Sequence, residues 1–166
     1  MISFRAPWAT CLKVMTGLSI AILLGVPVIG LTMYARHHNA VHLLVMVALP
    51  LCMLIGSAFF LIRGYVLNDD TLLIQRLGWY SKLDLTDLIS AEPDSSAMAK
   101  SIRTFGNGGL FCIAGAFWNK KLGHYRAFAS DPPRAVILRF PERRVVITPD
   151  NPGEFVRRIK ELRGPG

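Results

Sequence analysis

The distribution of apolar residues divides the chain into two unlike parts. Val14 to Ala35 is a run of 22 residues without a charged side chain, and Leu43 to Ile62 is a second run of 20. An α-helix needs roughly 20 apolar residues to cross about 30 Å of hydrocarbon. The runs therefore predict a transmembrane hairpin over residues 1–63, with helices at about 12–34 and 41–62. The first run is longer than the apolar core of a signal peptide, so we expect it to be retained.

From Gly64 onward the apolar positions recur every second residue, as is typical of half-buried strands. The first predicted strand pair turns at Asn68-Asp69-Asp70, and the clearest pair joins 134–140 to 143–148 through Pro141-Glu142. Residues 64–166 are therefore expected to form one domain of six to seven short antiparallel strands.

The last predicted element is an amphipathic helix with a strong start signal. Asn151 is a candidate N-cap, Pro152 occupies the first helical position, and Glu154 follows three residues after the cap. These are the positions of a capping box. Phe155, Ile159 and Leu162 then recur with helical spacing and predict the face that packs on the sheet.

This order of elements resembles the bacterial pleckstrin-homology-like (PH-like) domain, in particular members that follow an N-terminal transmembrane hairpin. The resemblance is carried by four segments: Tyr65-Val66-Leu67-Asn68-Asp69-Asp70-Thr71-Leu72-Leu73-Ile74, Phe105-Gly106-Asn107-Gly108-Gly109-Leu110-Phe111, Trp118-Asn119-Lys120-Lys121-Leu122-Gly123, and Thr148-Pro149-Asp150-Asn151-Pro152. It implies an α+β architecture in which a split β-barrel is capped by the C-terminal helix. Phosphoinositide-binding PH domains contain basic residues around the turn after the first strand, whereas the corresponding turn here, Asn68-Asp69-Asp70, is acidic.

Charge predicts how the chain is oriented. The formal net charge is +8, and residues 1–63 contain four basic and no acidic residues. Basic residues lie beyond the outer ends of the two runs, Arg5 and Lys13 before the first and Arg63, Arg76 and Lys82 after the second, whereas the connection contains only Arg36 besides histidines. The positive-inside rule then predicts a multi-pass protein of the cell inner membrane with both termini in the cytoplasm.

Small residues recur every fourth position in both predicted helices, a spacing that lets helix backbones approach closely. We call these the small-residue stripes, and they comprise Gly17, Ala21 and Gly25 in the first helix and Ala48, Cys52 and Gly56 in the second. The antiparallel register of a hairpin favours contact between the two stripes. A homodimer seam is the alternative.

One segment combines basic and aromatic residues in a way that suits an anionic membrane surface. This basic–aromatic segment comprises Trp118, Lys120, Lys121, Tyr125 and Arg126. An ordinary solvated hairpin tip with a buried tryptophan is the alternative. No motif typical of nucleic-acid recognition accompanies the segment, so we expect no nucleic-acid partner.

The sequence contains no recognisable catalytic or metal-binding constellation. The three cysteines, Cys11, Cys52 and Cys112, form no C-x-x-C pair, and His124 is the single histidine after residue 63. We therefore expect a non-enzymatic binding or scaffolding module without a cofactor or metal. Its expected partners are the lipid bilayer, an anionic lipid surface, and a membrane protein or a second copy. The alternative is a small accessory subunit that binds a larger membrane complex through its hairpin.

Overall fold

The computed structural model describes residues 2–37 and 40–163. Two long helices lie between its first and second strands. In chain order the elements are β1 (Ile2–Arg5), α1 (Thr10–His37), α2 (Ala40–Ala58), β2 (Ile62–Asn68), β3 (Thr71–Arg76), β4 (Tyr80–Asp84), β5 (Ser90–Pro93), β6 (Ile102–Gly108), β7 (Ile113–Asn119), β8 (Gly123–Ala129), β9 (Val136–Arg139), β10 (Arg144–Ile147) and α3 (Pro152–Arg163).

The two long helices lie where the uncharged runs predict them and are long and apolar enough to cross a membrane. Each contains a proline, Pro27 in α1 and Pro50 in α2. The second helix ends at Ala58 rather than near 62, because Ile62 already begins a strand. The helices approach closely at Gly30, where an added Cβ would lie 2.7 Å from the Cβ of Met46.

The N-terminal residues belong to the sheet, which the predicted boundary at residue 64 did not include. β1 pairs antiparallel with β2, so that Phe4 lies opposite Tyr65 and Arg5 opposite Gly64. Gly64 has no space for a side chain, since a Cβ there would lie 2.6 Å from the Phe4 carbonyl oxygen. The helical hairpin is therefore an insertion between two neighbouring strands of one sheet.

Ten strands form two sheets within the described residues, where the sequence predicted six or seven strands of one barrel. The first sheet has the order β1-β2-β3-β4, and the second has the order β5-β9-β10-β8-β7-β6. The sheets pack in a sandwich-like arrangement and are not closed into a barrel by strand pairing. The expectation of a wholly antiparallel arrangement is also wrong, because β10 pairs parallel with β8.

The glycine-rich stretch from Phe105 to Phe117 belongs to two strands, β6 and β7, that bend together. Gly106 and Gly115 lie opposite each other with φ of +107° and +148°. A Cβ at Gly115 would lie 2.1 Å from the Phe105 carbonyl oxygen, so only glycine permits this approach. β6 is an edge strand, and its Phe105 side chain is 81% exposed.

Helix α3 covers the main core between the sheets. Phe155 is fully buried, and its ring meets that of Phe4 edge-on with centroids 5.0 Å apart. Ile159 is buried as predicted, but Leu162 is exposed and Val156 is buried instead. The predicted pair of strands is confirmed as β9 and β10. Alternate residues of the two strands and the residue that follows β9 share this core: Val136, Leu138, Phe140, Val145 and Ile147.

The start of α3 confirms the predicted cap. The Oδ1 of Asn151 accepts a hydrogen bond from the Glu154 backbone N–H at 3.1 Å. The reciprocal half of a capping box is replaced, because the Asn151 N–H donates to Asp150 Oδ1 at 3.1 Å. The Glu154 carboxylate pairs with Arg157 and Arg158, and the hydrogen bond from Arg157 is the main reason that the pKa of Glu154 is lowered.

Candidate functional site at the junction of the hairpin and the domain

The basic–aromatic segment does not form one continuous surface. Trp118 and Arg126 are exposed on the same face of the second sheet. Tyr125 points to the opposite face, is 3% exposed, and stacks on Phe117 with ring centroids 5.9 Å apart. Its hydroxyl donates to Ser101 Oγ at 2.7 Å. The prediction that Tyr125 contributes to a binding surface is therefore wrong, because strand alternation turns it into the core.

The two lysines lie at the β7–β8 turn, where Lys120 is exposed and Lys121 has a structural partner. Lys121 Nζ lies 2.6 Å from Asp94 Oδ2 and donates to Ser96 Oγ at 2.7 Å. The hydrogen bond from Lys121 lowers the pKa of Asp94. This turn lies at the far end of β7 from the β6–β7 loop, since the seven residues of the strand span about 23 Å at 3.3 Å per residue.

The small-residue stripes do not pack against each other, contrary to the favoured interpretation of their spacing. A Cβ built on Gly17, Gly25 or Gly56 would meet nothing within 4 Å. Ala21 and Cys52 are exposed, and Ala48 is half-buried. The close approach of the two helices involves Gly30 and Met46 instead, which leaves the stripes open.

The structure brings together a different set of residues, at the ends of the helices nearest the sheets. Thr16, in the second turn of α1, is 4% exposed and donates from Oγ1 to the Gly109 carbonyl oxygen at 3.2 Å. The same Oγ1 accepts the Phe111 N–H at 3.1 Å, and the Phe111 ring contacts that of Trp8. The β6–β7 loop is thereby bound to the start of α1.

The residues that follow α2 are bound to the first sheet by two donors. Arg76 Nη1 donates to the Phe60 carbonyl oxygen at 3.0 Å, and Trp79 Nε1 donates to that of Phe59 at 3.0 Å. The Arg76 guanidinium also lies over three rings, 4.8 Å from the centroid of Trp79 and 5.5 Å from those of Phe60 and Phe128. These contacts hold the domain against the end of the second helix.

Arg76 was predicted only as one of the positive charges beyond the second span, and the structure gives it a specific role. It is 6% exposed, and burial lowers the pKa of its guanidinium. None of the ion pairs within residues 2–37 and 40–163 includes it. Hydrogen bonds and aromatic faces compensate its desolvation instead. The signal in the sequence was its place in β3, where every second residue faces inward.

A groove of 440 Å³ opens between the last turns of α2 and the β6–β7 hairpin. Cys52, Met53 and Gly56 line its helical side, and Arg103 and Leu110 line its opposite side. The groove thus combines an apolar wall with one guanidinium. Two of the three residues of the α2 small-residue stripe, Cys52 and Gly56, face this space rather than another helix.

A buried polar cluster lies inside the domain beneath this junction. The Tyr65 hydroxyl donates to the Phe128 carbonyl oxygen at 2.6 Å and accepts the Thr148 N–H at 3.2 Å. Burial raises the pKa of Tyr65 to about 12 and that of Cys112 to about 11. A neutral phenol and a protonated thiol suit a packed core, so we assign this cluster a structural role.

The residues described, 2–37 and 40–163, contain no group of three or more His, Cys, Asp or Glu side chains placed to hold a metal ion. His38, in the predicted external connection, lies outside the described residues.

No curated protein and no solved structure matched the chain. A family model described as a bacterial PH domain matches residues 63–163, which is more than half of the chain. The strands and the terminal helix of that region agree with the match, and the protein belongs to the bacterial PH domain family.

Proposed function

We propose that this protein is a membrane-anchored PH-like module that binds or scaffolds a partner at the cytoplasmic face of the inner membrane and carries out no catalysis. The main support for this proposal is the contact between the ends of the helices and the domain. Arg76, Trp79 and Thr16 bind a compact domain directly to the ends of two apolar helices. A domain that is fixed in this way lies at the surface of the membrane that the helices cross.

The exposed surfaces of the helices support a membrane environment. Large apolar side chains cover them, among them Val14, Ile22, Val28, Leu44 and Ile55, each more than half exposed. A soluble protein rarely leaves so large a continuous apolar surface open to water. Lipid tails would cover these side chains without any partner protein.

Strand pairing supports a topology in which the segments before and after the helical hairpin lie on one side of the membrane. Because β1 pairs with β2, residues 2–5 and 64–67 must lie on the same side of a bilayer that the helices cross. The basic residues at the outer helix ends favour the cytoplasmic side. We therefore propose a multi-pass inner-membrane protein with both termini in the cytoplasm.

Binding is supported by the family and by an open sheet edge. β6 ends the second sheet, and its Ile102 and Phe105 side chains are 63% and 81% exposed. Unpaired backbone groups and exposed apolar side chains on an edge strand suit the addition of a partner strand. Nucleic acid is not among the partners that we propose.

A second candidate, an accessory subunit that binds a membrane complex through its hairpin, is favoured by one observation. Gly17 and Gly25 in α1 have nothing within 4 Å of an added Cβ, so this face can accept another helix closely. A homodimer would use the same face.

Topology reporters and site-specific crosslinking test these alternatives. A reporter that is active only in the cytoplasm should work after Gly166, and one that is active only outside should work near His38. A photo-crosslinker at Phe105 should capture a protein from intact membranes if the domain is the binding module. Capture from position 25 alone would support the accessory subunit, and an external Gly166 would refute the proposed topology.

A further inference from the structure

The groove between α2 and the β6–β7 hairpin has an amphipathic lining. Its helical wall is formed by Cys52, Met53, Gly56 and Ser57, and Gly56 contributes no side chain. Its other wall contains Leu110 and the guanidinium-bearing Arg103. No Asp or Glu is among the described residues that line it. A ligand for this space needs an apolar part and an anionic part.

Local geometry places Arg103 along the groove. Arg103, Gly106 and Gly108 share one face of β6, since their partners on β7 are Phe117, Gly115 and Ile113. Because the two glycines have no side chains, the arginine can lie across them. Its Nη1 is 2.9 Å from the position of a Cβ on Gly108.

Arg103 has no counter-ion within the protein as described. The ion pairs within residues 2–37 and 40–163 use other basic residues, and Arg103 takes part in none of them. An unpaired guanidinium next to apolar groups favours a phosphate, with which it forms short, charge-assisted hydrogen bonds.

The depth of the groove selects a lipid as the source of that phosphate. Helix α2 has 19 residues, or about 28 Å at 1.5 Å per residue, which matches the hydrocarbon thickness. Gly56 is two residues from its end, so the groove opens near the headgroups while Met53 lies deeper. The exposed rings of Phe59, Phe60 and Trp79 at the same level are typical of a membrane interface.

We propose that this groove binds one anionic phospholipid from the cytoplasmic leaflet, with its phosphate on Arg103 and an acyl chain along α2. Basic pockets beside transmembrane helices on the cytoplasmic side are suited to anionic headgroups. The proposal rests on the membrane insertion proposed above. It also explains why the small-residue stripe of α2 faces open space, since Gly56 leaves room for the chain.

The test uses the full-length protein in detergent, titrated with phosphatidylglycerol and, separately, with phosphatidylcholine, with bound lipid counted by native mass spectrometry. The wild type should retain phosphatidylglycerol preferentially, and Arg103→Gln should weaken that retention about tenfold. Arg143→Gln is the matched control, because this arginine is exposed in the turn before β10 of the second sheet and does not line the groove. Equal losses in both variants would refute the proposed site.

A second pair of variants fills the space without touching the charge. Gly56→Leu should also abolish the preference, because its side chain would occupy the groove while meeting no protein atom within 4 Å of its Cβ. Gly25→Leu, equally unhindered but outside the groove, should have no effect. If Gly56→Leu changes the oligomeric state and leaves lipid retention unchanged, the groove is a contact between copies and the proposal is wrong.

Alkaline extraction of membranes separates this failure from failure of the proposed function. A wild-type protein that resists extraction but shows no preference for phosphatidylglycerol would refute only the lipid site. A protein that is released by extraction would refute the membrane anchor and the lipid site together.

Discussion

Replacing Phe4 by alanine removes a ring that lies before the helical hairpin and packs on a helix near the other end of the chain. Phe4 is 7% exposed, and its ring centroid is 5.0 Å from that of the fully buried Phe155. Truncating a buried phenylalanine costs about 3–5 kcal/mol of folding free energy. We expect about 3 kcal/mol for Phe4, which lies on an edge strand, and about 4–5 kcal/mol for Phe155.

The contact between the two rings should appear as a coupling energy. An edge-to-face pair contributes about 0.5–1.5 kcal/mol beyond the burial of its area. Phe4→Ala, Phe155→Ala, the double variant and the wild type form a double-mutant cycle that isolates this term. The assay is urea unfolding of the full-length protein in detergent, followed by the fluorescence of its three tryptophans, Trp8, Trp79 and Trp118.

Ser3→Ala is the matched control, since this neighbour in β1 is exposed and should change the unfolding free energy by less than about 0.5 kcal/mol. If Phe4→Ala behaves like Ser3→Ala, the N-terminal strand is not part of the domain core. If both single variants are destabilised but the coupling is zero, the rings do not meet and the docking of α3 on β1 is wrong.

Two further variants test the buried hydroxyl and the helix cap. Tyr65→Phe should destabilise the domain at neutral pH by about 1–3 kcal/mol, because Phe128 and Thr148 lose a buried partner. The pKa of Tyr65 rises from 10.0 to about 12 on folding, so between pH 10 and 12 the wild type should lose about 3 kcal/mol more stability than Tyr65→Phe in urea melts at each pH, since the raised pKa of Cys112 acts in both proteins; parallel curves would contradict it. Asn151→Ala should cost about 0.5–2 kcal/mol in the same melts through loss of the cap, whereas Asn151→Asp should cost little. Equal stability of all three proteins at this position would show that the cap is not needed.

The elements that the sequence predicted well are those whose signal is local. Uninterrupted apolar runs predict the two long helices, and the adjacent residues Asn151 and Pro152 predict the start of α3. The turn after Asn68 and the β9–β10 pair follow from alternation across short connections. In each case the residues that form the structure are neighbours along the chain, so a short window contains the whole cause.

The elements that the sequence did not predict depend on partners far away along the chain. β1 has only four residues, too short a run for its alternation to predict a strand, and it forms one because it pairs with β2, some 60 residues later. The parallel pairing of β10 with β8 and the bend at Gly106 and Gly115 are likewise set by packing. Strand register between distant segments cannot be derived from alternation, which fixes only which face a residue occupies.

The same distinction applies to the candidate site. The sequence showed that basic and aromatic residues occur together in one segment. In the structure, however, Tyr125 of β8 faces the core and Lys121 forms an ion pair with Asp94. Arg76 and Arg103 acquired their surroundings from the helix ends, which lie beside them only because the hairpin is inserted between β1 and β2. The charges and rings that the protein has are therefore evident from its sequence, whereas which of them meet depends on the insertion of the helices into the sheet.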